Sequence, residues 1–167
     1  MGTGKSTIAS VLADRLGWKK VDTDEMIVAE AGMSIPAIFE QYGEARFREW
    51  ESEAVRKATS GHKQVIATGG GAVLAEINRQ RMLENGLVVA LHADMETIIR
   101  RVGKDKNRPL LQGDVRKKVQ VMMEQRKDAY RFAHVTIDTS DKTVRQVADL
   151  ILSQMKKYPD SAMIEKE

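Results

Sequence analysis

Lys5 and Ser6 directly follow Gly2-Thr3-Gly4, and residues of these types in this order suit one kind of chemistry, the holding of phosphates. Gly2-Thr3-Gly4-Lys5-Ser6 matches the closing half of the pattern G-x-x-x-x-G-K-[ST]. In that pattern backbone N–H groups ring the phosphate oxygens, the lysine adds charge at the β- and γ-phosphates, and the hydroxyl goes to Mg²⁺. Thr7 completes the stretch, and Ile8, Val11, Leu12 and Leu16 then fall at apolar helical spacing. The N-terminus of such a helix favours an anion, because its N–H groups are unpaired and its dipole is positive there. The pattern's opening glycine would lie three residues before Gly2, after an apolar strand, whereas this chain has only Met1 there. A glycine- and serine-rich helix cap is the bland alternative.

Other residues carry chemistry only in combination. Asp22 and Asp24 close a short strand read over Lys19 to Asp24. One could face a Mg²⁺ shell through water and the other could orient or deprotonate a substrate hydroxyl. A solvated turn that caps the next helix is the competing reading. Arg48 and Glu51, three apart on a helix, share a face where the carboxylate can aim the guanidinium at an anion. By spacing alone, an exposed pair of little consequence is favoured over that role. Gly69-Gly70-Gly71 stops a compact apolar strand, which makes sense where a ligand must touch backbone. Arg101, Arg108, Arg126 and Arg131 lie in or near a long polar stretch, residues 103–114, read as a lid. His62, His92 and His134 show no metal-ligand spacing.

These groups need a frame that brings them together. Helices are expected over Ile8 to Leu16, Glu25 to Ala31, Ser34 to Gly43, Glu44 to Ser60, Glu76 to Asn85, Met95 to Val102, Val115 to Tyr130 and Thr143 to Met155. Strands are expected over Lys19 to Asp24, Gln64 to Thr68, Leu87 to His92 and Val135 to Asp138, with a frayed tail after Lys156. Alternating strands and helices imply an α/β fold with a parallel sheet, which binds ligands beyond the carboxyl ends of its strands. The phosphate loop, Asp22/Asp24 and Gly69 to Gly71 all fall at such ends.

With 167 residues, the chain is long enough for one domain and too short for two ordinary ones. Its 27 basic and 24 acidic residues are interspersed, so no basic block supports a nucleic-acid partner. No stretch has the length of a membrane span, and with no cysteine, disulfides and thiolate metal sites are excluded.

Taken together, the chain resembles the shikimate kinases, within the P-loop nucleoside-monophosphate-kinase-like group. The resemblance rests on Met1-Gly2-Thr3-Gly4-Lys5-Ser6-Thr7, Asp22-Thr23-Asp24, Phe47-Arg48-x-x-Glu51, Thr68-Gly69-Gly70-Gly71-Ala72-Val73, Arg108-Pro109-Leu110-Leu111, and Arg126 four residues before Tyr130. It implies a three-layer P-loop fold with strand order 2-3-1-4-5 and a mobile lid. It also implies phosphorylation of the 3-hydroxyl of shikimate by MgATP, on the route to chorismate and the aromatic amino acids, in a cytoplasmic monomer. By the same resemblance Gly2, Thr3, Gly4, Lys5, Ser6 and Thr7 hold the triphosphate, and Ser6 the Mg²⁺ with Asp22 nearby. Asp24 binds the hydroxyls as candidate base. Arg48, Arg126 and Gly69 to Gly71 hold the substrate, Arg108 reaches the phosphates, and Arg101 lies near the adenine.

Three features depart from the family pattern. The first strand and first loop glycine are absent from the sequence, so the neighbours of strand 1 are expected to flank a gap. Lys127-Asp128-Ala129 stands between Arg126 and Tyr130 where the family has x-Pro-x, and Lys142 stands where many members place an arginine. Either Met1 is an internal methionine of a longer natural chain, or the chain is a truncated relative without catalysis. Another small-molecule P-loop kinase, such as a gluconate kinase, is the further alternative.

Overall fold

The computed structural model describes residues 2–102 and 114–158. Apolar spacing after the glycines yields α1 (Lys5–Leu16), which buries Ile8, Ala9, Leu12 and Ala13. The chain continues through β1 (Lys19–Asp22) and turns at once into α2 (Thr23–Ala31). The strand thus stops two residues short of expectation. The cause is local: the Asp22 carboxylate accepts from the N–H groups of Asp24 and Glu25, which caps the helix and places Asp24 in its first turn.

Ser34 caps α3 (Ile35–Thr59), with Pro36 in its first turn. The two helical stretches expected on either side of Gly43 meet there at a kink, where φ is 77° and ψ 173°. β2 (Gln64–Ala67) leads into the glycines and a short 3₁₀ turn, Ala72–Leu74. Then come α4 (Glu76–Asn85), β3 (Val89–His92), α5 (Met95–Val102), α6 (Val115–Arg126), β4 (Val135–Asp138) and α7 (Val144–Met155).

α6 ends at Arg126, before the expected Tyr130. Beyond it Ala129, Arg131 and Ala133 donate backbone N–H groups to Arg126, Asp128 and Tyr130, three residues back. Such bonds tighten the chain into successive turns in place of another α-helical turn. After α7 the Tyr158 ring lies tilted against that of His134 and its hydroxyl donates to the His134 carbonyl at 3.4 Å, so the described part of the expected tail is held.

The strands form two parallel pairs, β1 with β2 and β3 with β4. Lys19 aligns with Gln64 in the first pair and Val89 with Val135 in the second. Among the described residues β2 and β3 each have a single strand partner. A cavity of about 840 Å³ lies where the two pairs face each other, lined by Val65 and Ile66, by Val89 and Leu91, and by Ile8 and Leu12. The cavity lies where a gap was expected, between β2 and β3.

Three apolar clusters hold the layers. Ile8, Leu12, Ile137, Val147 and Ile151 join α1 and α7 to the strands, whose Val65, Val89 and Leu91 pack against them. Ile27, Ile38, Phe47 and Ala54 bind α2 to α3, and Ile98, Val102 and Val119 bind α5 to α6. α2 and α3 therefore stand on the β1–β2 side of the molecule, where the second and third site motifs lie.

Candidate active site

Gly4 caps α1 in a left-handed conformation, φ 84°, and Gly2 has φ 71°. A side chain at either position would be strained. At Gly2 a Cβ would also lie 3.0 Å from Val102 Cγ2, so the loop backbone rests directly on α5. Arg101, from the same helix, donates to the Gly2 carbonyl at 3.3 Å and to Oγ1 and the carbonyl of buried Thr139 at 3.0 and 2.8 Å. The arginine expected near an adenine is therefore also a strut for the phosphate loop. Thr3 is buried, with Oγ1 unpartnered among the described residues.

Lys5 and Ser6 open α1, at the end of the helix whose dipole favours an anion. Ser6 Oγ donates to Asp22 Oδ2 at 3.1 Å. The other oxygen of that carboxylate caps α2. The capping reading of Asp22 thus holds for one oxygen, and the other lies beside the Ser6 hydroxyl.

The second half of the site is built on α3. Arg48 Nη1 donates to Glu51 Oε2 at 2.8 Å, while Nε and Nη2 reach Glu44 Oε1 at 3.2 and 2.9 Å. The exposed pair favoured from spacing is not what forms: the Glu51 side chain is only 2% exposed. Burial arises because Phe47, Glu51, Ala54, Val55 and Ala58 share the inner face of the helix, so the carboxylate rides into the interior with its apolar neighbours. That burial pushes the Glu51 carboxyl above its ordinary range, although Arg48 pulls the other way and Asp24 adds to the rise. Burial also opposes the Arg48 charge, yet Glu51 and Glu44 outweigh it and raise the guanidinium's pKa.

The glycines fit around these groups. A Cβ on Gly69 would lie 2.7 Å from Asp24 Oδ1 and 3.0 Å from Glu51 Oε1, and one on Gly71 would lie 2.2 Å from Arg48 Nη1. Asp24, Glu51, Arg48 and the glycine loop therefore converge on one spot. Gly69 N–H donates to Thr23 Oγ1 at 3.2 Å, and Tyr130 Oη donates to the Gly70 carbonyl at 2.8 Å. Arg126, at the end of α6, is near enough for its charge to act on Glu51.

Not every candidate joins this cleft. Arg131 pairs with Asp128 in the turns after α6 and is largely exposed, a solvated pair and not part of the site. Arg108, its Pro109-Leu110-Leu111 neighbours and all of the expected lid but Asp114 lie outside the described residues. Sequence reasoning missed Thr23 and gave Tyr130 no role. Thr23 offered no signal beyond its place between two aspartates, whereas Tyr130 was visible as a fixed companion of Arg126.

A family model for shikimate kinase matches residues 1–156. The chain belongs to the shikimate kinase family. The shikimate kinase of Caldanaerobacter subterraneus subsp. tengcongensis is 44% identical over 153 residues, covering 91% of this chain and 90% of that one. That of Geobacter sulfurreducens is 45% identical over 159 residues, covering 95% and 88%. Among solved structures, a shikimate kinase from Acinetobacter baumannii in complex with shikimate superposes with a TM-score of 0.89 at 38% identity, covering 95% of this chain and 89% of that one. The enzyme from Aquifex aeolicus gives 0.80 at 30% identity, covering 95% and 93%. The shikimate kinase match spans both halves of the cleft and agrees with the mixed α/β architecture of parallel strands. Among the described residues no helix is long and apolar enough to cross a membrane.

Proposed function

We propose that this chain transfers the γ-phosphoryl group of ATP to the 3-hydroxyl of shikimate, giving shikimate 3-phosphate and ADP. One observation carries the reading. The half-buried Arg48 with its buried partner Glu51, Asp24 and a side-chain-free glycine loop meet at one spot, and Asp22 links that spot to the phosphate loop. A guanidinium held by a buried carboxylate suits a substrate carboxylate, and Asp24 suits a ring of hydroxyls. The matched relatives bear the kinase's name, which leaves the non-catalytic alternative with less support.

The roles we propose join the geometry of the described residues to the family resemblance. Gly2 to Thr7 cradle the triphosphate at the α1 N-terminus, with Lys5 at the β- and γ-phosphates. Arg48 and Arg126 take the carboxylate, and Gly69, Gly70 and Gly71 let the substrate lie against backbone. Asp24 accepts the proton of the 3-hydroxyl as its oxygen bonds to the γ-phosphorus and the bond to the ADP oxygen breaks. Charge stabilisation and alignment supply most of the rate in such transfers. Arg108, from the segment 103–114 that we read as the lid, adds its charge to the phosphates, and Arg101 lies by the adenine. We read residues 1–167 as one kinase domain, a monomer working in the cytoplasm.

Mg²⁺ is expected with the nucleotide. Ser6 Oγ and Asp22 Oδ2 are hard oxygen donors 3.1 Å apart beside the phosphate loop, and one or two such ligands plus phosphate oxygens are what this ion takes. Bound there, it would neutralise phosphate charge.

The deciding experiment is ADP release by the 167-residue chain with ATP, Mg²⁺ and shikimate, run beside gluconate and a no-acceptor control. We expect release that requires shikimate. A folded chain that binds ATP yet releases no ADP with shikimate would overturn the proposal.

A further inference from the structure

The glycine loop is held by three hydrogen bonds that leave its peptides little freedom. Gly69 N–H donates to Thr23 Oγ1 at 3.2 Å, Ala72 N–H donates to the Gly69 carbonyl at 3.2 Å, and Tyr130 Oη donates to the Gly70 carbonyl at 2.8 Å. A trans peptide is planar, with its N–H antiparallel to its C=O. Fixing the Gly69 carbonyl toward Ala72 therefore aims the Gly70 N–H away from Ala72, and fixing the Gly70 carbonyl toward Tyr130 aims the Gly71 N–H away from Tyr130. No described backbone carbonyl outside the helices and strands accepts from either N–H. These are also the peptides least able to hold a direction unaided, since glycine has the widest backbone freedom.

We propose that Tyr130 and Thr23 are positioning residues: Tyr130 aims the Gly71 N–H, and Thr23 anchors the peptide that enters the loop, whose next carbonyl is held by Ala72, so that the Gly70 and Gly71 N–H groups face an oxygen of the phosphoryl acceptor. The inference rests on the reading of this cleft as the shikimate site. Thr23 is fully buried in the first turn of α2, one residue from Asp24. Its bond to Gly69 ties the loop to the same turn that carries Asp24. Tyr130 follows α6 by four residues, so its bond ties the loop to the turns that leave the helix at Arg126. The acceptor's two flanks and the backbone beneath it are thereby registered to one another. Neither hydroxyl needs to touch the substrate for this.

The test is steady-state kinetics of Tyr130→Phe, which removes one hydroxyl and keeps the ring. A neutral hydrogen bond contributes about 0.5–1.5 kcal/mol, which corresponds to roughly two- to tenfold. We expect the shikimate KM to rise by about that factor, with the ATP KM and the melting temperature unchanged. Thr23→Ser, which keeps the acceptor oxygen, is expected to behave like the parent. Thr23→Val is expected to raise the shikimate KM, and combined with Tyr130→Phe to raise it beyond either alone. An unaltered shikimate KM in Tyr130→Phe overturns the inference, as does an equal rise in both KM values. If the parent chain turns over ATP with some other acceptor and not with shikimate, the reading of the site fails and not the hold on the loop, and the same comparison is then made with that acceptor.

Discussion

Ser6 Oγ and Asp22 Oδ2 are hydrogen-bonded at 3.1 Å, which joins the first turn of α1 to the last residue of β1. The donor and acceptor halves of the cleft are tied at this point, because Asp22 also caps the helix that bears Asp24. Asp22→Ala should raise the Mg²⁺ concentration needed for half-maximal rate. It should also loosen α2, since loss of an aspartate cap costs about 0.5–2 kcal/mol. A Mg²⁺ titration followed by ADP release, beside a thermal melt, separates the two effects. Asp22→Ser keeps a capping oxygen and is expected to show mainly the Mg²⁺ effect.

Lys5→Ala should reduce kcat by at least about 10²–10³-fold, the scale seen when one charge-stabilising donor is removed. Shikimate binding and the melting temperature should not change, because Lys5 lies in the exposed opening turn of α1 and outside the apolar clusters. Isothermal titration with shikimate and a single-turnover assay test both halves. An unchanged rate would remove the phosphate loop from the mechanism.

Arg48→Ala should raise the shikimate KM by roughly ten- to a hundredfold, the range for lost charge-assisted hydrogen bonds, and leave the ATP KM near its parent value. Gly71→Ala should give a milder form of the same defect. Its Cβ would lie 2.2 Å from Arg48 Nη1, so the guanidinium must shift against its bond to Glu51. A rise confined to ATP in either variant would contradict the assignment.

Glu51 sets a pH dependence. Burial raises its carboxyl pKa, so on acidification it takes up a proton above the usual carboxylate range and its grip on Arg48 weakens. The shikimate KM should climb as pH falls through that range, whereas Glu51→Gln should have a high KM that is flat there. The sign for stability is opposite. A folded pKa raised above the unfolded value gives a contribution present below the unfolded pKa and lost as pH rises through the folded one. Glu51→Gln should therefore melt no lower than the parent at neutral pH while binding shikimate less well.

The cavity between the strand pairs makes a prediction of its own. A short apolar strand fused by design ahead of Met1, long enough to lie between β2 and β3, should raise the melting temperature by about 2–4 °C for each kcal/mol gained. It should also give amide protection in both strands. Unchanged melting and exchange would mean that the pairs do not accept a strand between them.

Local signals placed most of the frame. α4, α5 and β4 have the bounds that their caps and apolar runs dictate, Glu76–Asn85, Met95–Val102 and Val135–Asp138. What was not legible depended on contacts distant in sequence. Spacing puts Arg48 and Glu51 on one face, yet only the packing of α3 decides that Glu51 is inside. The Tyr130–Gly70 bond joins residues 60 apart. A strand reading that ran on to Asp24 failed because it assumed the pleat, whereas the Asp22 side chain satisfies the next N–H groups and starts a helix.

Among the described residues β2 and β3 each have a single strand partner, which bears on how these 167 residues behave in quantity when taken by themselves. A strand with an unpaired edge is a template for any other extended chain, and the residues at this one, Val65, Ile66, Val89 and Leu91, are apolar. Self-association should therefore be strand-to-strand, rise steeply with protein concentration and temperature, and spare the exposed charged helices. Yield and shelf life of these 167 residues by themselves would then follow the middle of the sheet, and covering that edge should improve both.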